Sequence, residues 1–168
     1  MISLMAVLHG WSQLWAEYPD YVSYPDPETV KQMVGGQVNE DWIKNTCAVR
    51  MSRTLNNNGV PLPSKFAGLL TLKGGDGKRY AIRVAEMRKW LTHALGAPDF
   101  DLDKKRGEDF DKTPISALKG IIAFNIHFAD ATGHLDLWDG SSYSSELHDP
   151  SEQYWRNATR ITLWETAG

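Results

Sequence analysis

The sequence predicts an α+β fold in which N-terminal helices pack on a mainly antiparallel sheet. Two observations predict it. Apolar residues recur at helical spacing early in the chain, at Trp11, Leu14, Trp15 and Tyr18, and again across residues 84–95. Short β-rich segments with glycine-marked turns then dominate from Ile121 onward. Helices first and strands later, with one inserted helix, is the order of a fold that segregates its helices from its sheet. A length of 168 residues suits one domain over residues 1–168, large enough to hold together without a disulfide or metal.

The first helix carries Trp11, Leu14, Trp15 and Tyr18 at i, i+3, i+4 and i+7 and ends before Pro19. Residues 21–27 hold two prolines and read as a loop. Asp26-Pro27-Glu28 then supplies an N-cap acceptor, a φ already set for helix and a first-turn acid. That helix runs through Val30, Met33 and Val34 until Gly35-Gly36 stops it. A third helix begins near Asn45-Thr46, with Cys47, Val49 (or Arg50), Met51 and Leu55 at near-helical spacing. Asn56-Asn57-Asn58-Gly59 ends it with residues tolerant of positive φ.

Residues 60–64 carry Pro61 and Pro63 and read as extended chain, and 69–72 as a short strand. Gly74-Gly75-Asp76-Gly77 is a turn, and 79–83 alternates like a strand. The clearest helix spans 84–95: Val84, Met87, Trp90, Leu91, Ala94 and Leu95 share one face, with Gly96 and Pro98 after it. Residues 100–113 are charged and aperiodic and read as a surface loop. Residues 121–128 are β-rich, 129–133 a connection and 134–138 a second strand closed by an Asp139-Gly140 turn. The stretch 141–153 is polar and irregular, and 160–165 alternates as a last strand.

Hydrophobic residues make up 42% and charged residues 23%, a globular mixture that excludes wholesale disorder. A formal net charge of −3, without a Lys/Arg stripe, argues against a nucleic-acid partner. No apolar run approaches the ~20 residues of a membrane helix, so no membrane partner is expected. The single cysteine excludes an internal disulfide and a four-thiolate zinc site. Met1 to Leu8 is apolar but lacks a basic n-region and an A-x-A cleavage site, so no secretory signal is read.

Two features carry chemistry. Cys47 sits just inside a helix start, where first-turn N–H groups and the helix dipole favour a thiolate. Free cysteine is commonly a small buried apolar residue, so its position is what distinguishes it. In Gly133-His134-Leu135-Asp136-Leu137-Trp138, strand alternation sends His134, Asp136 and Trp138 to one face and the leucines into the core. An imidazole on an open strand face can reach a helix start packed on that sheet, the pairing a thiol hydrolase needs. His127 lies on the preceding strand and could flank the cleft, whereas His9, His93 and His148 suit surfaces. Cys47, His127 and His134 match no short zinc pattern, so no metal or cofactor is expected. The 74–77 glycines lack the Lys-Ser/Thr of a phosphate loop, and the Asp/Lys stretch 99–112 lacks EF-hand spacing.

Asn45-Thr46-Cys47-Ala48-Val49-Arg50-Met51-Ser52, followed by Leu55-Asn56 and Gly59, resembles the nucleophile helix of the type VI secretion amidase effectors, family 4. Tyr80-Ala81-Ile82-Arg83-Val84 leading to Met87, Lys119-Gly120-Ile121-Ile122, Gly133-His134-Leu135-Asp136-Leu137-Trp138-Asp139-Gly140 and Thr162-Leu163-Trp164 continue the likeness in order, over roughly residues 10–165. The resemblance implies a papain-like fold of the NlpC/P60 kind and an antibacterial toxin. It implies hydrolysis of the bond between D-glutamate and meso-diaminopimelate in peptidoglycan stem peptides. It further implies a cognate immunity protein and a type VI secretion apparatus component as partners. The protein would be made in the cytoplasm, delivered into the periplasm of a target bacterium, and monomeric when free.

By that resemblance Cys47 matches the nucleophile and His134 the general base. The third member is an acid about a dozen residues beyond the histidine. Direct spacing lands on Ser145, and a one-residue slip brings in Glu146, the expected acid; Asp139, Asp136 and Ser145 are the alternatives, Asp136 sharing the face of His134. The expected mechanism is acyl transfer through a thioester, with the Cys47 N–H and another donor holding the oxyanion. Arg50, Arg53 or Arg83 could bind substrate carboxylates, and Trp42 and Trp138 could wall the cleft. The competing readings are a non-catalytic, immunity-type binding module on the same fold, and a transglutaminase-like thiol amidase with another substrate.

Overall fold

Helix boundaries follow the capping chemistry of the sequence. The computed structural model describes residues 8–126 and 133–166. The helix α1 (Trp11–Glu17) ends at Tyr18, before Pro19. In α2 (Pro27–Val34) the Asp26 carboxylate accepts from the Thr29 N–H at 2.8 Å, a cap worth about 1 kcal/mol. Gly35, at φ 68°, stops α2 in a backbone region that other residues rarely enter. Then come α3 (Cys47–Asn56), the hairpin β1 (Thr71–Lys73) and β2 (Arg79–Ala81), and α4 (Val84–Leu95), closed by Gly96. The remaining elements are β3 (Phe100–Asp103), β4 (Gly120–Asn125), β5 (Gly133–Trp138), α5 (Ser144–His148), α6 (Tyr154–Asn157) and β6 (Arg160–Glu165).

Nine of the ten residues of α3 are buried, so it is a central helix rather than a surface one. Ala48, Met51 and Leu55 face a core that includes Leu14, Met87, Leu91, Leu135 and Leu137. Val49 faces a second cluster with Val30, Val34, Ile43, Tyr80 and Ile82. Truncating Met51 or Leu55 to alanine would cost about 2–5 kcal/mol by the usual loss of transfer energy and opening of a cavity. The start of α3 is therefore held on several sides, which is what a reacting group at its first residue requires.

Four strands form an antiparallel sheet in the order β3-β6-β4-β5. Alternation splits its side chains. Ile121, Ala123, Leu135, Leu137 and Trp164 pack toward α3 and α4. Ile122, Phe124, Trp138, Ile161 and Leu163 pack on the opposite side with Ile115, Tyr143 and Trp155. Every residue of β5 is buried, so the strand face of His134, expected to be open, is covered by residues from 143 onward. Gly133 precedes His134 for a steric reason: a Cβ there would lie 2.6 Å from the Phe124 carbonyl oxygen on the paired strand.

The sequence reading is corrected at several places. Residues 100–103 form a strand within the expected loop; only four residues long, at the sheet edge and mostly exposed, it has no apolar alternation to betray it. Residues 144–148 form a helix within the expected irregular stretch; its buried residues are Ser144 and Ser145, so no apolar stripe marks it. The strand read at 69–72 lies at Thr71–Lys73. His127, with most of the connection 129–133, lies outside the described residues.

Candidate active site

Cys47 is the first residue of α3, and its thiol is placed by the chain on either side of it. Thr46, the preceding residue, makes no side-chain cap. Instead the Asn45 Oδ1 accepts from the Cys47 N–H at 2.9 Å, satisfying one of the helix-start donors that would otherwise lack a partner. The Cys47 Sγ lies 2.8 Å from His134 Nδ1 and 3.6 Å from the Tyr21 hydroxyl. Cys47 is 6% exposed and His134 2% exposed. β5 is an edge strand of the sheet, and His134 reaches the sulfur from it.

The far nitrogen of the imidazole is engaged as well. His134 Nε2 lies 2.8 Å from Asp136 Oδ2 and 3.1 Å from the Ser145 hydroxyl. Asp136 is fully buried and accepts from every side. Its Oδ1 receives the Tyr18 hydroxyl at 3.0 Å, the Leu137 N–H at 2.8 Å and the Ser144 N–H at 3.1 Å; its Oδ2 receives the Ser145 N–H at 2.9 Å besides His134. The N–H groups of Ser144 and Ser145 are the first of α5, so the missed helix is what clamps the carboxylate. Tyr154, Tyr143, Phe124 and Tyr21 surround the imidazole, the Tyr154 ring centroid 4.7 Å away.

Electrostatics follow from this packing. Burial alone would raise the Cys47 thiol; the cationic His134 beside it, with hydrogen bonds from His134 and Tyr21, outweighs burial and holds the thiol below its usual 9.0. Burial alone would lower His134; the Cys47 thiolate and the hydrogen bonds to Asp136 and Cys47 push the imidazole up to about 10. The two shifts together favour a thiolate–imidazolium pair at neutral pH.

The pair opens into a cleft of about 190 Å³ whose walls include Tyr21, Pro25, Asn45, Ser145 and Tyr154. A neighbouring cleft of about 250 Å³ shares Lys44 and Asn45 with it and adds Trp42, Ile82 and Arg83. Among the described residues, no three His, Cys, Asp or Glu side chains gather to hold a metal ion.

Of the candidates for the third member, the structure brings Asp136 and Ser145 to His134 and leaves the others away. Glu146 is corrected: its Oε2 accepts from the Trp155 indole at 2.9 Å. Neighbouring residues on a helix face different directions, so with Ser145 turned to His134, Glu146 turns away. Asp139 instead closes the turn after β5, accepting from the N–H groups of Ser141 and Ser142. Arg50 is structural: its guanidinium donates to the carbonyls of Pro19 at 2.7 Å and Tyr24 at 2.8 Å and lies 3.7 Å over the Tyr21 ring. Arg53 pairs with Asp76, and Arg83 pairs with Glu86 at the second cleft. Trp138 is a core residue donating to the Ile115 carbonyl, whereas Trp42 is 57% exposed at the second cleft.

The sequence reading missed Tyr18 and Tyr21. The helical spacing of Tyr18 foretold its burial, and nothing local foretold that its hydroxyl would meet a carboxylate 118 residues away. Tyr21 gave no signal beyond lying in a proline-flanked loop.

Comparison with known proteins bears on the whole arrangement. The family model of type VI secretion system amidase effector protein 4, Tae4, matches residues 43–164, a span holding both Cys47 and His134. No curated protein sequence matches the chain. Among solved structures, Tae4 of Enterobacter cloacae in complex with the immunity protein Tai4 is 30% identical, with a TM-score of 0.80 over 94% of this chain and 98% of that one. The Tae4/Tai4 effector–immunity structure from Salmonella typhimurium is 27% identical, with a TM-score of 0.79 over 94% and 98%. Tae4 of Enterobacter cloacae on its own is 28% identical, with a TM-score of 0.79 over 97% and 99%. These likenesses run through the NlpC/P60-like fold and the helix and strand that carry the cysteine and histidine, and the chain belongs to the Tae4 family of type VI secretion peptidoglycan amidase effectors.

Proposed function

We propose that the chain, acting as one domain over residues 1–168, cleaves the D-glutamyl–meso-diaminopimelate bond of peptidoglycan stem peptides with Cys47 as nucleophile and His134 as acid and base. The observation that carries this reading is the 2.8 Å approach of the Cys47 sulfur to His134 Nδ1 at a helix start opening into a cleft.

In the resting pair the proton sits on His134 Nδ1 and the sulfur is anionic. The thiolate attacks the side-chain carbonyl carbon of D-glutamate, forming the S–C bond and pushing the carbonyl electron pair onto oxygen. When that pair returns, the C–N bond breaks and His134 gives its proton to the departing diaminopimelate amine. Water then enters, His134 takes its proton, and hydroxide displaces the thiolate from the acyl group. Asp136 is the orienting acid in this scheme. It holds Nε2 so that Nδ1 faces the sulfur, and it stabilises the imidazolium; Ser145 supports the same nitrogen. The exposed Trp42 and Lys44 line the adjoining cleft, where the rest of the stem peptide would lie.

The immunity protein in the effector–immunity complexes of the relatives supports a cognate immunity partner for this chain. Membership of a type VI effector family supports synthesis in the producing cell's cytoplasm and action in the target's periplasm. The test is digestion of purified peptidoglycan with wild type beside Cys47→Ala and His134→Ala, with products identified by mass. Both variants are expected to lose the cut that frees the diaminopimelate amine, to a similar extent, since the two residues act as one unit. A digest unchanged by Cys47→Ala would remove the reading.

A further inference from the structure

The backbone N–H of a nucleophile at a helix start is the usual first donor to an oxyanion. Here that N–H is already engaged: it donates to Asn45 Oδ1 at 2.9 Å. The bond also fixes which way the Asn45 amide is turned. An N–H must be met by an acceptor, so the oxygen faces Cys47 and the amide nitrogen on the same carbon faces elsewhere. Asn45 is half-buried and lines the wall of the reaction cleft. Its Nδ2 has no hydrogen-bond partner among the described residues. Two other donors at the cleft are committed. The Arg50 Nη atoms hold the carbonyls of Pro19 and Tyr24, and the Tyr21 hydroxyl contacts the sulfur itself.

We infer that Asn45 is a catalytic residue: its Nδ2 donates to the oxygen of the scissile carbonyl as the Cys47 thiolate adds, while the Cys47 N–H keeps the amide turned that way. The inference rests on the proposed role of Cys47. No bond is made to Asn45. As sulfur adds, the carbonyl electron pair moves to oxygen, where the Nδ2–H stabilises it, and the pair returns as the amine leaves with the proton from His134. A side-chain donor tethered two residues before the nucleophile moves with it as one unit, so its position needs no rearrangement during the reaction.

The test separates reactions that form an oxyanion from one that does not. Alkylation of Cys47 by iodoacetamide is a displacement at saturated carbon and needs a thiolate but no oxyanion donor. Asn45→Ser retains an oxygen able to cap the Cys47 N–H, and Asn45→Ala frees that N–H. Both are expected to alkylate within about threefold of wild type, with the same pH dependence. Both are expected to lose about 10²–10³ in kcat on the stem peptide, with KM little changed, as when one oxyanion donor is removed. A kcat within threefold of wild type in Asn45→Ala, with the freed N–H taking over, would overturn the inference. So would a loss of kcat no larger than the loss of alkylation rate, which would make Asn45 a cap alone. If Asn45→Ala fails to fold, Asn45→Ser answers the same question. Should Cys47→Ala retain activity, the failure belongs to the assignment of the nucleophile instead.

Discussion

Replacing Asp136 with asparagine alters one atom and one charge at the meeting point of five hydrogen bonds. Asn can keep its carbonyl oxygen toward Tyr18, Leu137 and Ser144, the three donors now on Oδ1. Its amide nitrogen then faces the Ser145 N–H and His134 Nε2, where an oxygen accepted before. Two consequences follow. The Ser145 N–H loses its acceptor, a loss of about 1–3 kcal/mol in stability for a buried donor. The charge-assisted bond to the imidazolium is also lost, and the new N–H favours neutral His134. At about 1.5–3 kcal/mol for a bond to a charged group, and 1.36 kcal/mol per decade of rate, kcat/KM should fall by about 10- to 150-fold. The assay is release of diaminopimelate-bearing peptide from a soluble stem peptide, run beside Cys47 alkylation across pH. Asp136→Asn should bring the histidine ionisation down from about 10 toward the ordinary 6.5, and alkylation near neutral pH should slow with it. A kcat/KM within twofold of wild type, with an unmoved alkylation profile, would refute Asp136 as the orienting acid.

For the wild type, kcat/KM should rise with pH through a thiol ionisation below 9.0 and fall as His134 loses its proton near 10, because the active pair has sulfur deprotonated and imidazole protonated; an acid limb at or above 9.0 in a pH–rate profile would contradict it. Trp42→Ala should raise KM severalfold with kcat within twofold and stability within about 0.5 kcal/mol, as expected of an exposed substrate wall; steady-state kinetics with an unchanged KM would dismiss that role. Arg50→Lys keeps the charge but loses the planar fork that spans the Pro19 and Tyr24 carbonyls and lies over Tyr21, so it should lower stability by about 2–4 kcal/mol. Urea midpoints check this, and a loss under 1 kcal/mol would count against the fork as the clasp of that loop.

What the sequence discloses and what it hides divide along a physical line. The Asp26-Pro27 start of α2, the glycine stops and the full length of α4 depend on neighbouring residues, and they can be read in one dimension. Cys47 at a helix start and His134 on a short strand are legible for the same reason, since each announces its local setting. What α5 presents to the imidazole is hidden, because it depends on the register of a five-residue helix whose buried face is serine. Direct spacing lands on Ser145, which meets the imidazole, and the one-residue slip to Glu146 points a carboxylate at Trp155 instead. The acid closest in sequence, on the same strand face, is in contact as well, as strand alternation predicts. The hydroxyls of Tyr18 and Tyr21 reach the site only through tertiary packing, which no local pattern encodes.

A buried ionic site is tolerated only if its charges balance and its donors and acceptors are filled. With the thiolate–imidazolium pair formed, Cys47 and Asp136 contribute two negative charges, and His134 and Arg50, one turn further along α3, contribute two positive ones. The sum is zero across four side chains that are almost wholly buried. Three of the four are also held in place: Asp136 by three backbone N–H groups, Arg50 by two carbonyls, His134 between the sulfur and the carboxylate. Arg50 thus serves the site without facing a substrate, because it offsets the charge of the thiolate and anchors the loop whose Tyr21 touches the sulfur. A thiol left to burial alone would be raised and inert. Here the partners that lower it are His134 on β5, held by Asp136 and Ser145, and the Tyr21 hydroxyl, in a loop held by Arg50. Loosening any one of these should therefore reduce thiolate reactivity before it unfolds the domain.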